Sequence, residues 1–428
     1  MHLTHRQTCR VCGSAALTKV IDLGEQYLQG SFIGPDGRMP PLRKIDTALV
    51  RCDPTRDERA CGLLQMSISV PPDILYADYW YRSGTNQTMT DHLRGIAIEA
   101  AELAGKAAPR VLDIGCNDGT LLKNYPAGSI KFGVDPSDAV RSIGNDIRVI
   151  NDLFPSERLT AATNGQPFDI ITSIAMFYDL EDPVAFVRAI KRHLSSDGVW
   201  CFEMSYMPSM LKHNSYDTIC HEHLEYYSLS VIEFILRKAG MQAVRVSLND
   251  SNGGSIRVHA THVENRRFDG DQTARQTIRE LRQREFELRL DTNEPYARFQ
   301  DMIEREKREL VSLLQRLKAE GKVVHIYGAS TKGNTILQTC GIDQTLVQAA
   351  AERNPKKYGG RTLGTNIPIV SEKESREMKP DYYLVLPWHF REEFLAREAA
   401  MLDAGVGFIF PLPELEVVRK ETAAVKAA

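Results

Sequence analysis

The chain has 428 residues, 43% of them apolar and 25% charged, and a formal net charge of −3. That length suits two or three domains, and so balanced a charge gives no basis for a nucleic-acid partner or for attraction to an anionic membrane surface. No apolar run reaches the roughly 18 residues of a membrane span, and Met1-His2-Leu3-Thr4-His5-Arg6 lacks the apolar core of a signal peptide, so the expected setting is the cytoplasm.

Four of the eight cysteines fall before residue 62, as Cys9-x2-Cys12 and Cys52-x8-Cys61. Two thiolates three apart grip one ion from a tight turn, and a second pair brought close completes a tetrahedral site of soft sulfur, which favours zinc. Such a site has no open coordination position, so residues 1–70 read as a small domain stapled by structural Zn2+. Residues 71–265 begin with a connector. Pro71-Pro72 breaks the chain, and Tyr76, Tyr79, Trp80 and Tyr81 follow. A helical pattern then runs from Gln87 to Ala104. Phenols combine an apolar face with a polar tip, so Tyr79 and Tyr81 are candidates for a lid over a site.

Residues 109 to about 245 alternate strands and helices, the pattern of a parallel sheet covered on both faces. The strand candidates are Arg110–Ile114, Ile130–Val134, Asp169–Ile174 and Gly198–Met204, with a helix at Pro183–His193. The first strand enters Asp113-Ile114-Gly115-Cys116-Asn117-Asp118-Gly119-Thr120, and a helix is expected from Thr120. This departs from the G-x-G-x-x-G of a dinucleotide site. An acid at the strand end repels phosphates and suits a cationic amino-acid tail. Asp135, about 20 residues on, is placed to accept both hydroxyls of a ribose. The cofactor-binding candidates are therefore Asp113, Gly115, Asn117, Gly119 and Asp135, with Ser173 at the end of a further strand. Ligands bind beyond the carboxyl ends of such strands, which puts the Ala175–Asp179 turn and Glu203 on the same rim. The segment Cys220-His221-Glu222-His223 is not the H-E-x-x-H of a zinc peptidase helix. In an extended segment its histidines share one side, while irregular backbone brings Glu222 and His223 to one pocket.

Asn249-Asp250-Ser251-Asn252-Gly253-Gly254 reads as a tight turn before a strand. Residues 266–320 read as a solvated helical linker interrupted near Asn293-Glu294-Pro295. In residues 321–428 the strand Lys322–Tyr327 enters Gly328-Ala329-Ser330-Thr331-Lys332-Gly333-Asn334-Thr335, a second glycine-loop unit. Its lysine precedes the second glycine, so it is not a P-loop. Ser330, Lys332 and Asn334 are candidates to hold a diphosphate at a helix amino terminus. Further strands are expected at Tyr382–Leu386, followed by Pro387-Trp388-His389, and at Gly407–Phe410.

The Asp113–Gly119 loop resembles the first motif of class I S-adenosylmethionine-dependent methyltransferases. The order of four cysteines, this loop, His-Glu-His and Gly-Ala-Ser-x-Lys-Gly-Asn-Thr resembles the three-domain sugar C-methyltransferases that act on nucleotide-linked 4-keto-deoxysugars. The resemblance spans roughly residues 8 to 415. It implies an α/β chain in which a class I methyltransferase Rossmann-like domain is flanked by an N-terminal zinc domain and a C-terminal Rossmann-like domain. It also implies a catalytic pair, Glu222 and His223, and a nucleotide-sugar substrate. Cys220 stands where the family often has tyrosine, and Phe177-Tyr178-Asp179 where many members have histidine. His223 is the expected base, with Glu222 orienting it or serving as base itself. Tyr178 and Tyr79 are candidates to stabilise an enolate, and Tyr81 and His221 to hold the sugar. The competing readings are an O- or N-methyltransferase on a nucleotide sugar or related metabolite, a non-catalytic binding protein with a degenerate site, and an NAD-dependent enzyme using the second sheet. Monomer and homodimer are both compatible with the sequence.

Overall fold

The computed structural model describes residues 3–75, 82–85 and 87–420. Tyr79 and Tyr81, the phenols expected over the site, lie outside the described residues. The first glycine loop sits at the centre of a seven-stranded sheet, in the order Met241–Asn249, Ser255–His262, Leu194–Ser205, Phe168–Ile174, Arg110–Ile114, Ile130–Val134 and Arg148–Ile150. The last five strands run parallel. The first two add an antiparallel hairpin, so the sheet is mixed where a purely parallel one was expected. The hairpin forms because the Ser251–Gly254 reversal admits left-handed backbone at Asn252 (φ 55°) and a wide positive φ at Gly254 (121°).

A second correction concerns the helix expected from Thr120. Only a 3₁₀ turn, Leu122–Asn124, follows the loop. Tyr125 is already extended (ψ 152°) because Pro126 excludes helical backbone from the residue before it. Elsewhere local patterning translates directly. Helix Pro183–His193 has Asp182 capping the Ala185 amide, proline in its first turn and Lys191, Arg192 and His193 in its last. Its apolar face covers an aromatic core in which Trp200 stacks on Phe202 at 3.9 Å and meets Phe177 edge-on at 5.4 Å.

Two helices, Gln272–Glu287 and Glu294–Ala319, lead to a six-stranded sheet, with Pro295 in the first turn of the second helix. The sheet order is Ile369–Ser371, Ala349–Glu352, Val324–Tyr327, Tyr382–Val385, Gly407–Phe410 and Glu416–Val418, parallel except for the last strand.

The amino-terminal unit is built from Leu17–Gln26, Ile45–Cys52 and Leu64–Met66, and its fourth strand comes from far away. Glu225–Tyr226, just after His223, pairs antiparallel with it, Glu225 opposite Gln65 and Tyr226 opposite Leu64. A second strand exchange joins Phe32–Ile33 to Arg361–Thr362. The amino-terminal unit thus bonds to both larger units. No helix among the described residues is long and apolar enough to cross a membrane.

Candidate active site

The four early cysteines converge. All four Sγ atoms lie within 4.8 Å of one another, with Cys9 to Cys61 at 3.6 Å and Cys12 to Cys52 at 3.4 Å. Zinc–sulfur bonds of about 2.3 Å in a tetrahedron set sulfurs about 3.8 Å apart, so the cluster has the size and donor type of a closed zinc site. Gly13, with φ 77°, turns the chain out after the second cysteine.

At the first glycine loop, Gly115 (φ 74°), Asn117 (φ 50°) and Gly119 (φ 74°) wind the backbone tightly across the strand ends. Asp135 pins it. One carboxylate oxygen accepts from the Asn117 amide at 2.9 Å, and the other accepts from the Ser137 amide and hydroxyl at 2.8 and 2.6 Å. Residues 83 and 84 close over the same loop, the Ser83 amide donating to Asn117 Oδ1 and the Gly84 amide to Asp118 Oδ2. Asp113 is buried and accepts from Thr172 Oγ1 at 2.6 Å. Burial, with the neighbouring Asp135 charge, pushes its carboxyl up to about 7 against that hydrogen bond. No ion pair to Asp113 occurs among the described residues. A buried carboxylate of this kind fits a ligand that brings its own positive charge, as the amino-acid tail of S-adenosylmethionine does.

Ser173 corrects the expected cofactor set. It is fully buried, and its hydroxyl accepts from Trp200 Nε1 at 3.1 Å. Side chains alternate along a strand, so Thr172 faces Asp113 while Ser173 faces the aromatic core.

The His-Glu-His segment is a turn, so its two imidazoles part company instead of sharing one side. His221 is buried; Nδ1 lies 2.7 Å from Gln29 Oε1 and Nε2 3.3 Å from Thr47 Oγ1. This ring is committed to the amino-terminal unit, which removes it from the sugar contacts expected of it. His223 packs its ring 4.3 Å from that of Tyr178, and its Nδ1 donates to the Thr218 carbonyl at 2.8 Å. A carbonyl only accepts, so the neutral ring carries its proton on Nδ1 and its lone pair on Nε2. Burial and the Lys332 charge hold this imidazole down at about 4, opposed by the Thr218 bond. Glu222 turns toward Gly30: a Cβ there would fall 2.0 Å from Glu222 Oε1. Its Oε2 has no hydrogen-bond partner, and burial raises its carboxyl above the ordinary value.

The second glycine loop lies close by, its Lys332 charge acting on His223. Lys332 reaches out of it, Nζ donating to the Asn252 carbonyl at 2.7 Å. Ser330 caps the helix Thr331–Cys340 by accepting from the Gly333 amide at 3.0 Å. Asn334 is buried and donates to the Gln29 carbonyl at 2.7 Å, an internal tie and not the diphosphate contact expected of it. Sequence reasoning gave no role to Asp217, Trp388 or His389. Asp217 is fully buried and accepts from Trp388 Nε1 at 2.9 Å; its other oxygen has no hydrogen-bond partner. Burial raises its carboxyl, and the Lys332 charge opposes that. Burial and Lys332 together hold His389 well below its ordinary value. The available signal was Pro387-Trp388-His389 directly after a parallel strand, where ligand-facing loops lie. On the rim, Glu203 is engaged by His92 Nε2 at 2.5 Å, Asn249 Nδ2 at 2.9 Å and Arg257 Nε at 2.8 Å.

Known proteins match the chain unit by unit. Residues 9–76 match a family described as "Putative zinc binding domain", residues 89–246 a "Methyltransferase domain", and residues 250–413 a "C-methyltransferase C-terminal domain". The chain is 28% identical over 419 residues to C-methyltransferase NovU of Streptomyces niveus, covering 97% of each. It is 30% identical over 135 residues to a ubiquinone biosynthesis O-methyltransferase of Neisseria meningitidis, covering 29% of this chain and 56% of that one. A solved S-adenosylmethionine-dependent methyltransferase from Clostridium acetobutylicum superposes with a TM-score of 0.32 at 14% identity, over 44% of this chain and 95% of that one.

The glycine loop with its buried acid, joined to these family matches, defines an S-adenosylmethionine-dependent methyltransferase carrying a zinc-binding domain. The three matched domains follow one another along the chain, and it is similar over nearly its whole length to a C-methyltransferase.

Proposed function

We propose that this methyltransferase acts on a nucleotide-linked keto-deoxysugar, abstracting a proton beside the ketone and methylating the resulting enolate carbon. The observation that carries the reading is His223, whose Nδ1 proton is committed to Thr218 so that Nε2 keeps its lone pair, within the electrostatic reach of Lys332. Bound at the Asp113–Gly119 loop, S-adenosylmethionine supplies an electrophilic methyl group on a cationic sulfur.

The chain's own residues account for the rest. Nε2 of His223 takes the proton, and the ring then carries both N–H groups. Thr218 stabilises that cation by keeping its bond to Nδ1. Lys332 is a fixed positive charge suited to an anionic group such as a diphosphate. Pairing it with an anion offsets one cause of the low His223 basicity, so an anionic substrate strengthens the base that acts on it. Tyr178 steers the developing oxyanion, a role supported by its ring contact with the imidazole. Glu222 lies next to this base and helps orient the acceptor. Asp113, Gly115, Asn117, Gly119 and Asp135 form the methyl-donor pocket.

The test is incubation with labelled S-adenosylmethionine and a panel of nucleotide 4-keto-deoxysugars, locating the new methyl group by NMR. Solvent deuterium should enter the acceptor carbon without methyl donor in the parent and not in His223→Ala. Methylation at oxygen or nitrogen with no such exchange would sink the reading.

A further inference from the structure

The zinc turn does more than close on its ion. Arg10 lies between the ligands Cys9 and Cys12, and its side chain is completely buried. Nη1 donates to Gln65 Oε1 at 3.1 Å and to the Met66 carbonyl at 3.0 Å, and Nη2 donates to Ser69 Oγ at 2.7 Å. Nε lies 3.6 Å from Glu225 Oε1 and 3.6 Å from Glu181 Oε2. Glu225 is itself buried, two residues beyond His223.

Gln65 and Met66 belong to the strand that pairs with Glu225–Tyr226, and the Met66 amide donates to the Leu224 carbonyl at 2.9 Å. From the other side, Lys238 donates to the Val11 carbonyl inside the zinc turn at 3.2 Å. One guanidinium therefore hydrogen-bonds the strand that holds the exit of the His-Glu-His segment and sets its charge beside the carboxyl on that exit, which accepts no hydrogen bond among the described residues. The zinc ligands on either side of Arg10 fix where it stands.

We infer that Arg10 is a positioning residue of the methyl-transfer site, and that zinc loading sets the placement of His223 through the Arg10–Glu225 strut. Losing Arg10 strips the buried Glu225 carboxyl of the positive charge that opposes its burial and leaves the Gln65, Met66 and Ser69 acceptors without their donor. Losing Glu225 leaves Arg10 with Glu181 alone, and the segment relieves either change by moving. Gln29 grips the opposite end of the segment, its Oε1 accepting from the His221 amide and ring at 3.2 and 2.7 Å, independently of the metal. Zinc loss therefore shifts the segment instead of releasing it. Only the effect on turnover rests on His223 being the base; its placement does not.

The experiment uses the full-length chain with ¹⁵N-labelled histidine and saturating S-adenosylhomocysteine. The His221 and His223 ring signals are assigned by substitution. In Arg10→Met, zinc content measured by mass spectrometry should remain one per chain and ligand affinity should stay within about twofold of the parent. The His221 and His223 signals should shift or broaden, while the other nine of the 11 histidines hold their positions. Glu225→Gln should move the same two signals, and Arg10→Met with Glu225→Gln should move them back toward the parent. Stripping zinc from the parent with a chelator should reproduce the Arg10→Met pattern. Should Arg10→Met not fold, Arg10→Lys retains the buried charge, loses the fork, and should still move both signals. With an accepted substrate, kcat should fall about 10²-fold at unchanged KM for S-adenosylmethionine. His221 and His223 signals that stay in place after both Arg10 substitution and zinc removal would overturn the inference, even if stability drops. Moved signals with undiminished kcat would instead count against His223 as the base.

Discussion

As the proposed partner of the methyl donor's cation, Asp113 should make donor binding sensitive to pH. Its carboxyl is fully buried, accepts from Thr172, sits near Asp135 and Tyr125, and is pushed up to about 7. Only the ionised form attracts a cationic amino-acid tail, so affinity should fall as pH drops through 7. With that pKa, protonation weakens apparent binding about 11-fold at pH 6 and about 1.1-fold at pH 8, a change of about tenfold or 1.4 kcal/mol. Calorimetric titration with S-adenosylhomocysteine, which retains the ammonium group, should show this rise from pH 6 to 8. Asp113→Asn should weaken binding about 10²-fold, as loss of a buried charge partner does, and flatten the profile. In the ligand-free chain the stability effect has the opposite sense. The folded state keeps a proton that the unfolded chain has lost, so this contribution is lost as pH rises from about 4 to 7. An affinity flat between pH 6 and 8 in the parent would refute the assignment of Asp113 to the ligand's cation.

Gly30→Ala should be a catalytic lesion with little loss of stability. The new Cβ would sit 2.0 Å from Glu222 Oε1, so the carboxylate must retreat by about an ångström or more. Displacements of that size cost on the order of 10²-fold in rate; a kcat within threefold of the parent, with urea unfolding unchanged, would rule this out. Glu285→Ala should do the reverse. Its carboxylate accepts from the Leu229 and Ser230 amides and the Tyr206 hydroxyl, capping the helix Leu229–Lys238. Stability should fall by roughly 1–3 kcal/mol with S-adenosylhomocysteine affinity unchanged, read from urea midpoints. Metal analysis should find one zinc per chain, absent from Cys52→Ser/Cys61→Ser. Structural zinc contributes on the order of 10 kcal/mol, so both that variant and chelated parent should melt earlier than the loaded chain.

Both glycine loops were legible because their information is local. An apolar run, an acid or a glycine at the strand end, and turn residues beyond it suffice to identify Asp113–Gly119 and Gly328–Thr335. Helix Pro183–His193 was legible for the same reason, its cap, proline and basic end lying within a dozen residues. The roles of Gln29, Gly30 and Arg10 were not legible. These residues lie about 190 to 215 residues of sequence from the ones they neighbour in the fold, His221, Glu222 and Glu225. Ser173 was misread because the strand end was located correctly while the side-chain alternation was not resolved. His221 and Asn334 were polar residues in conspicuous motifs, and only the packed structure reveals that the amino-terminal unit claims them. The roles proposed for Glu222 and His223 rest on family resemblance, because spacing alone left open whether His221 and His223 share one side or Glu222 and His223 share one pocket.

The strand exchange at Glu225–Tyr226 has a consequence for how the protein is made. Gln65 and its partner Glu225 are separated by about 160 residues. At about 5–20 residues per second, the ribosome delivers that partner roughly 8–30 s later. Throughout that interval the Leu64–Met66 edge is unpaired, and an exposed edge is a template for pairing with another chain. The amino-terminal unit is synthesised first but completed only after most of the methyltransferase sheet exists. Zinc captured early by the four cysteines would hold that edge in shape during the wait, so metal supply during synthesis bears on yield as well as on the finished site. Expression without added zinc should therefore increase the insoluble fraction of newly made chain, a loss that zinc added after lysis does not recover.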